Sequence, residues 1–256
     1  MNDYLETAIE AARRGGEVLE SWRSRFTVSE KSPANLVTEA DLASQNAIHS
    51  LIQERFPDHA FLGEEDLNES GGESGYRWVI DPLDGTSNYV HGFPYYAVSI
   101  ALQKDNELIV GVVFDPNRDE MFAAVKGQGA RLNGQPIAPS SVGTLRESMT
   151  VASLPIAAKP DNPAIERFLL IMQHAQTVQR TGSAALNLVY VACGRIEAFW
   201  STSLKPWDVA AGALIVVEAS GRVSTIQGSE INIEEPDILT TNGTGIHDEL
   251  VALFTS

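Results

Sequence analysis

Residues 78–89 read WVIDPLDGTSNY, an apolar run that breaks into two aspartates three positions apart, a proline, a glycine and a threonine. A residue before proline is pushed toward extended backbone, so Asp81 is expected to end a strand with its side chain held out. Asp84-Gly85-Thr86 then opens a new segment at a helix start, where outward N–H groups form an anion-binding nest. Carboxylates beside such a nest are contradictory without a cation between them. Hard cations such as Mg²⁺ take oxygen ligands and keep company with phosphates. The plainer alternative is a polar turn, because aspartate is common in turns.

Context beyond these twelve residues weighs on that choice. Upstream, FLGEED puts Glu64 and Glu65 after an apolar pair and a glycine, either as a solvated loop or as donors to a site. Downstream, Asp208 opens the apolar run in KPWDVAAGALIVV, where it serves as an N-cap or as a carboxylate held in the interior. The chain carries 18 basic and 34 acidic residues, a net charge of −16. That balance argues against nucleic acid or an anionic membrane as a partner, and it repels a phosphorylated substrate. An anionic substrate therefore needs a local cation, and a metal supplies one.

The single cysteine, Cys193, excludes an intramolecular disulfide framework and fits a reducing compartment. MNDYLETAIEAARR is amphipathic and charged, unlike a signal peptide. The longest apolar run, VAAGALIVV at 209–217, falls far short of the roughly 20 residues of a membrane span. A soluble, cytoplasmic protein is the expectation.

Periodicity divides the chain. Leu5, Ile9, Ala12, Gly16 and Leu19 form one stripe of a helix over 3–22, and Ile48, Ile52 and Phe56 mark a second over about 38–56, with Thr38 and Asp41 as a capping pair. SEKSPANLVT between them reads as a polar loop. From Tyr76 the pattern turns to strands: YRWVI, YAVSIALQ, LIVGVVFD, EMFAAV and ARLNGQPI, joined by short turns and so largely antiparallel. The second half alternates strands (SMTVASLP, IEAFW, GRVSTI, DILTT) with helices at NPAIERFLLIMQHA, SAALNLVYVACG, WDVAAGALIVVEASG and HDELVALF. The third helix is apolar almost all round and hence buried. An N-terminal α+β half over 1–145 and a C-terminal α/β half over 146–256 are expected to pack as one unit.

WVIDPLDGTSNYVHGFP resembles the first signature of the inositol monophosphatase family, and WDVAAGALIVVEASG resembles its second. KSPANLVTEAD is similar to the family's mobile metal loop, FLGEE to its glutamate pair and RTGSAALNLVYVACG to its substrate-side helix. The resemblance spans nearly the whole chain. It implies a layered αβαβα sandwich of the inositol monophosphatase and fructose-1,6-bisphosphatase type, and a homodimer.

It also implies a chemistry. Glu64, Asp81 and the Leu83 carbonyl would hold one Mg²⁺, and Asp81, Asp84 and Asp208 a second. Glu64 with waters would offer a weaker third place near the mobile loop of Lys31. Thr86, hydrogen-bonded to Asp41, would activate the attacking water with Glu64, and Glu65 would support them. Gly85 and Thr86 N–H groups would grip the phosphate. The reaction implied is hydrolysis of the phosphate monoester of a small polyol by metal-activated water.

Arg180, Ser183 and Ala184 sit on the substrate-side segment, alongside Asp84 and Asp208. Ser201 stands where inositol-phosphate hydrolases of the family commonly carry a glutamate, which removes a charge-assisted acceptor for sugar hydroxyls. The same metal core serves histidinol phosphate, fructose 1,6-bisphosphate and adenosine 3',5'-bisphosphate in related enzymes. A rival of another class is a catalytically silent regulatory binding protein on the same fold.

Overall fold

The computed structural model describes residues 2–32, 35–71, 74–156 and 158–255. Helices α1 (Asn2–Trp22) and α2 (Glu39–Arg55) flank a two-stranded antiparallel hairpin, β1 (Val28–Ser32) and β2 (Asn35–Thr38). The expected cap of α2 is present: Ala40 N donates to Thr38 Oγ1 at 3.1 Å, and Asp41 reaches back to Thr38 N at 2.8 Å. The hairpin replaces the expected loop. Its Ser-Glu-Lys run has little intrinsic strand preference, so pairing across the hairpin makes the strand.

Next come β3 (Ala60–Gly63), β4 (Asn68–Glu69), β5 (Tyr76–Asp84), the short helix α3 (Thr86–Val90), β6 (Ala97–Lys104), β7 (Glu107–Asp115), β8 (Glu120–Val125), β9 (Ala130–Leu132) and β10 (Gln135–Pro136). These strands form an eight-stranded sheet in the order β10-β9-β8-β7-β6-β5-β3-β4, antiparallel except where β3 pairs with β5. Alternation along each strand serves two cores. Trp78, Ile80, Val98, Ile100, Val110 and Val112 pack toward α1 and α2, while Val79, Ala97, Ala101 and Val113 face the other way. Each large apolar side chain fully buried here contributes about 1.5–3 kcal/mol.

The second half supplies β11 (Met149–Ala152), α4 (Pro163–Ile171), β12 (Thr177–Gln179), α5 (Ala184–Ala192), β13 (Ala198–Ser201), α6 (Pro206–Glu218), β14 (Arg222–Ser224), β15 (Ile238–Thr241) and α7 (Ile246–Thr255). Its five-stranded sheet runs β12-β11-β13-β15-β14. Helices α5 and α6 lie between the two sheets, packed on Phe122 and Val113 of one and Val151, Phe199 and Ile238 of the other. α4 and α7 cover the far side through Ile171, Ile246 and Leu250. The layers therefore run helix, sheet, helix, sheet, helix, as expected. A helix between two sheets has little solvent face, which explains why α6 is apolar almost all round; only near its C-terminal end does Val217 reach solvent. It sits so close that a Cβ at Gly111 of β7 would lie 2.7 Å from the Ala211 carbonyl. Among the described residues no helix is long and apolar enough to cross a membrane.

Candidate active site

Asp81 and Asp84 meet because β5 is irregular. Asp81 pairs with Ser99 and Asp84 with Ala97, so three steps along β5 match two along β6. Side chains alternate faces along a strand, and residues three apart in a regular strand point in opposite directions. The extra residue, a bulge at Pro82-Leu83, turns Asp84 back to the face of Asp81, toward α5 and α6. The strand thus continues through Asp84, where sequence reasoning had it end at Asp81. Leu83 drops into the opposite core, fully buried. Past the strand, Gly85 has φ +103° and sits against the Tyr95 carbonyl, 3.0 Å from where a Cβ would stand. No other residue adopts that conformation without strain.

Helix α5 aims its N-terminus at Asp84. Ser183 Oγ donates to Asp84 Oδ2, Ala185 N donates to the same oxygen at 2.7 Å, and Ala184 N reaches Oδ1 at 3.2 Å. These donors and the positive end of the helix favour a charged carboxylate. Asp208, in the first turn of α6, accepts from one backbone donor, Lys205 N at 2.7 Å. Ser99 Oγ donates to the Trp207 carbonyl at 3.3 Å, which ties the start of α6 to β6. Asp81 accepts from Leu83 N at 3.0 Å.

Carboxylate oxygens of Asp81, Asp84 and Asp208 all lie within 4.8 Å of one another. Burial raises all three pKa values, and mutual repulsion adds to it. Asp84 is pushed up to about 6, held there against burial by Ser183 and the α5 N–H groups. Asp208, with fewer donors, is pushed up to about 8 by burial and then by Asp84. Asp81 lies well above the usual carboxylate range, through burial and the negative charges of Glu64, Asp84 and Asp208. Such a cluster is complete only with positive charge at its centre, and its all-oxygen donor set suits a hard cation. The cluster is able to hold a metal ion.

Beside it stands a second polar pair. Thr86 Oγ1 lies 3.1 Å from Asp41 Oδ1 and 3.2 Å from the Leu83 carbonyl. Asp41 is fully buried and also accepts from Thr38 N and Thr38 Oγ1. Burial raises its pKa, with the Thr38 hydrogen bonds opposing. Glu64 lines the cleft. Glu65 is half-buried, and its backbone is pinned by Gln45, whose Nε2 donates to the Glu65 carbonyl at 2.8 Å while Oε1 accepts from Glu65 N at 3.2 Å.

The cleft has two lobes that share Glu64, Asp84, Arg180 and Asp208. One, of about 500 Å³, adds Asp81, Leu83, Gly85 and Thr86. The other, of about 390 Å³, adds Ala184, Ser203, Lys205 and Trp207. Thus most residues singled out from sequence converge here, with two qualifications. Ser183 holds Asp84 and does not line the cleft. Ser201 is 1% exposed at the end of β13 and lines neither lobe, whereas Ser203 and Lys205, two and four residues on, line the second. Lys31 falls in β1, and its side chain lies outside the described residues.

Two contributors went unread in the sequence. Lys205 was visible as the K of KPWD. Asn88 donates through Nδ2 to the carbonyls of Tyr95, at 2.7 Å, and Thr181, at 2.9 Å, so it stitches the cleft wall of the second half to the first. An amide nitrogen carries the two donors that two carbonyls need; its place in DGTSN was the available signal.

The inositol monophosphatase family model matches residues 1–256. The chain belongs to the inositol monophosphatase family. Its members are phosphoric monoester hydrolases, and this chain is an enzyme of that class. An inositol-1-monophosphatase of Synechocystis is 40% identical over 98% of this chain and 88% of its own length. The extragenic suppressor protein suhB of Bartonella henselae has the same fold, with a TM-score of 0.94, 32% identity and 99% of each chain covered. SaIMPase-II, solved with inositol monophosphate bound, has a TM-score of 0.82 at 31% identity, with 98% of this chain and 93% of that one covered.

Proposed function

We propose that this family member hydrolyses the phosphate monoester of a small polyol, of the inositol-1-phosphate kind, with Mg²⁺ as the ion. Asp81, Asp84 and Asp208 would hold the metal, with Glu64 and the Leu83 carbonyl completing an oxygen set for two ions and Glu64 offering a place for a third. The observation that carries this reading is the convergence of three carboxylates, repelling one another in a buried cleft, beside a Thr86–Asp41 pair. The bound ions supply charge neutralisation for the phosphate and a lowered pKa for an attacking water.

The chain's own groups set the direction of the proton. With its hydroxyl hydrogen on Asp41, Thr86 Oγ1 presents a lone pair to the water. Asp41, made more basic by burial, draws the proton that Thr86 takes up. Glu64 would orient the water with them, and Glu65 would support it from a backbone fixed by Gln45. N–H groups of Gly85 and Thr86 would receive the phosphate oxygens. Water oxygen then bonds to phosphorus, the bond to the polyol oxygen breaks, and that oxygen takes up a proton. Inorganic phosphate and the free alcohol leave.

The test is phosphate release by the purified chain from inositol 1-phosphate, histidinol phosphate, fructose 1,6-bisphosphate and adenosine 3',5'-bisphosphate, with and without Mg²⁺. Metal-dependent release from at least one is expected. No release from any of them, together with no Mg²⁺-induced thermal shift, would sink the hydrolase reading and favour a regulatory binding protein. A homodimer is proposed on family resemblance, and sedimentation equilibrium tests it.

A further inference from the structure

The second lobe of the cleft has a charge pattern that a neutral polyol does not call for. It contains none of Asp81, Gly85 or Thr86, and instead adds Ser153, Ser203, Lys205 and Trp207 to the shared acids. It therefore extends from the reacting end toward where the rest of a substrate would lie. Arg180 lines both lobes and Lys205 this one alone.

Both cations are exposed, and neither pairs with a described side chain. Arg14, Arg25, Arg131, Arg146, Lys159 and Arg167 likewise pair with no described carboxylate, so what sets Arg180 and Lys205 apart is that they line the cleft. Among the described residues, Arg13, Arg23, Arg55, Arg77, Lys104, Arg118, Lys126, Arg195 and Arg222 each lie within 4.0 Å of a carboxylate. A metal held as proposed above would answer the acids at the reacting end. Two further cations, with no partner among the described side chains, then line the lobe on the leaving-group side.

We infer that the physiological substrate is a phosphate monoester carrying a second anionic group, phosphate or carboxylate, which Arg180 and Lys205 receive while the scissile phosphate sits at the acid cluster. This rests on the hydrolase reading above and narrows its substrate class. Arginine offers a planar fork that matches either anion, and lysine a mobile point charge. Ser153 and Ser203 hydroxyls are at hand for the intervening polar atoms.

Matched pairs test it with the full chain and saturating Mg²⁺. Fructose 1-phosphate against fructose 1,6-bisphosphate varies a second phosphate. Glycerol 2-phosphate against 2-phosphoglycerate exchanges one hydroxymethyl for a carboxylate. The expected result is a kcat/KM preference of at least about tenfold for one of the two doubly anionic partners, the size of one charge-assisted contact. That preference should shrink with added salt and fall toward unity in Lys205→Met and in the Arg180→Met, Lys205→Met pair. Which pair shows it tells phosphate from carboxylate.

Equal kcat/KM within both pairs overturns the inference, as does a preference that the substitutions leave intact. A change in Mg²⁺-induced thermal shift without a change in the ratio also overturns it, because Lys205 would then only balance the acid cluster. Release of phosphate from no compound breaks the hydrolase reading instead. The same pairs compared by ligand-induced thermal shift still decide whether a second anion is preferred.

Discussion

Two of the places where the molecule buries ionisable groups have opposite consequences. In the cleft, Asp81, Asp84 and Asp208 crowd together with more negative charge than their donors can balance, and burial lifts all three pKa values. Under the far layer, His247 of α7 is fully buried between Ser224 Oγ, at 2.9 Å from Nε2, and Thr241 Oγ1, at 3.0 Å from Nδ1. Ser224 spends its own hydrogen on the Thr225 carbonyl, so it accepts from Nε2–H, and Nδ1 is left to accept from Thr241. Every polar atom of the imidazole is matched as a neutral ring, and burial lowers its pKa to about 4. Burial thus marks a site only where it leaves charge unanswered; where every atom is answered, it marks scaffold.

The largest test of that contrast is Asp81→Asn. Hydrolysis should fall on the order of a thousandfold, while the metal-free protein should melt at a higher temperature because one repelling charge is gone. A lower metal-free melting temperature would show that the carboxylates hold the fold together instead. His247→Phe should behave in reverse. It takes one hydrogen bond from each of two buried hydroxyls and should cost about 2–4 kcal/mol in urea unfolding, with unchanged kcat and KM for the folded fraction. A loss of kcat there would break the division between site and scaffold.

A smaller effect is expected at the support of the cluster. Ser183→Ala removes one of the donors that keep Asp84 charged, and outer hydrogen bonds to metal ligands are typically worth about 10–100-fold in affinity. About tenfold weaker Mg²⁺ binding by calorimetry is expected, with the metal-free protein destabilised by about 1 kcal/mol because Ser183 Oγ also caps α5 by accepting from Leu186 N. Unaltered affinity would mean that the two backbone N–H groups of α5 suffice.

The smallest effect is the slope of stability with pH. Without metal, folded Asp84 titrates near 6 and folded Asp208 near 8, both above the unfolded range. The folded state then binds more protons, so these two groups lower stability as pH rises from about 4 to 8. Saturating divalent cation should remove that decline. His247 acts with the other sign: its unfolded form takes a proton near 6.5 that the folded form refuses until about 4. With saturating Mg²⁺ removing the carboxylate limb, stability should therefore fall below pH 6.5, and His247→Phe should abolish that limb. Melting curves across pH 4–8, with and without Mg²⁺, separate the two. A single unbroken trend would merge regions that are distinct here.

Legibility in sequence followed the range of the interaction. Helices α1, α2 and α6 and the meander of β6, β7 and β8 were readable because period and turn chemistry are local. The β1–β2 hairpin was not, since its residues become strand only through pairing. Glu64, Asp81, Asp84, Asp208 and the Thr86–Asp41 pair were legible as motif positions, and the structure gathers them in one cleft. Ser183 looked like a substrate contact because nothing local says which way a helix N-terminus is aimed. Asn88 and Lys205 were missed for the same reason: their partners are two carbonyls and a cavity supplied by other elements.

Residue order alone pointed to the donor chemistry: oxygen ligands, a threonine hydroxyl, a glycine after the second aspartate and an apolar helix that must be buried. It also established the family. The tertiary structure decided that Asp81 and Asp84 share a face, because only the register against Ser99 and Ala97 reveals the bulge that turns one toward the other. It decided too that α5 steadies Asp84 while Asp208 is left with less, and so how strongly each carboxylate resists losing its proton. Composition determines which charges exist. Their separation, burial and hydrogen bonds depend on segments far apart in the chain, and those determine what the charges do.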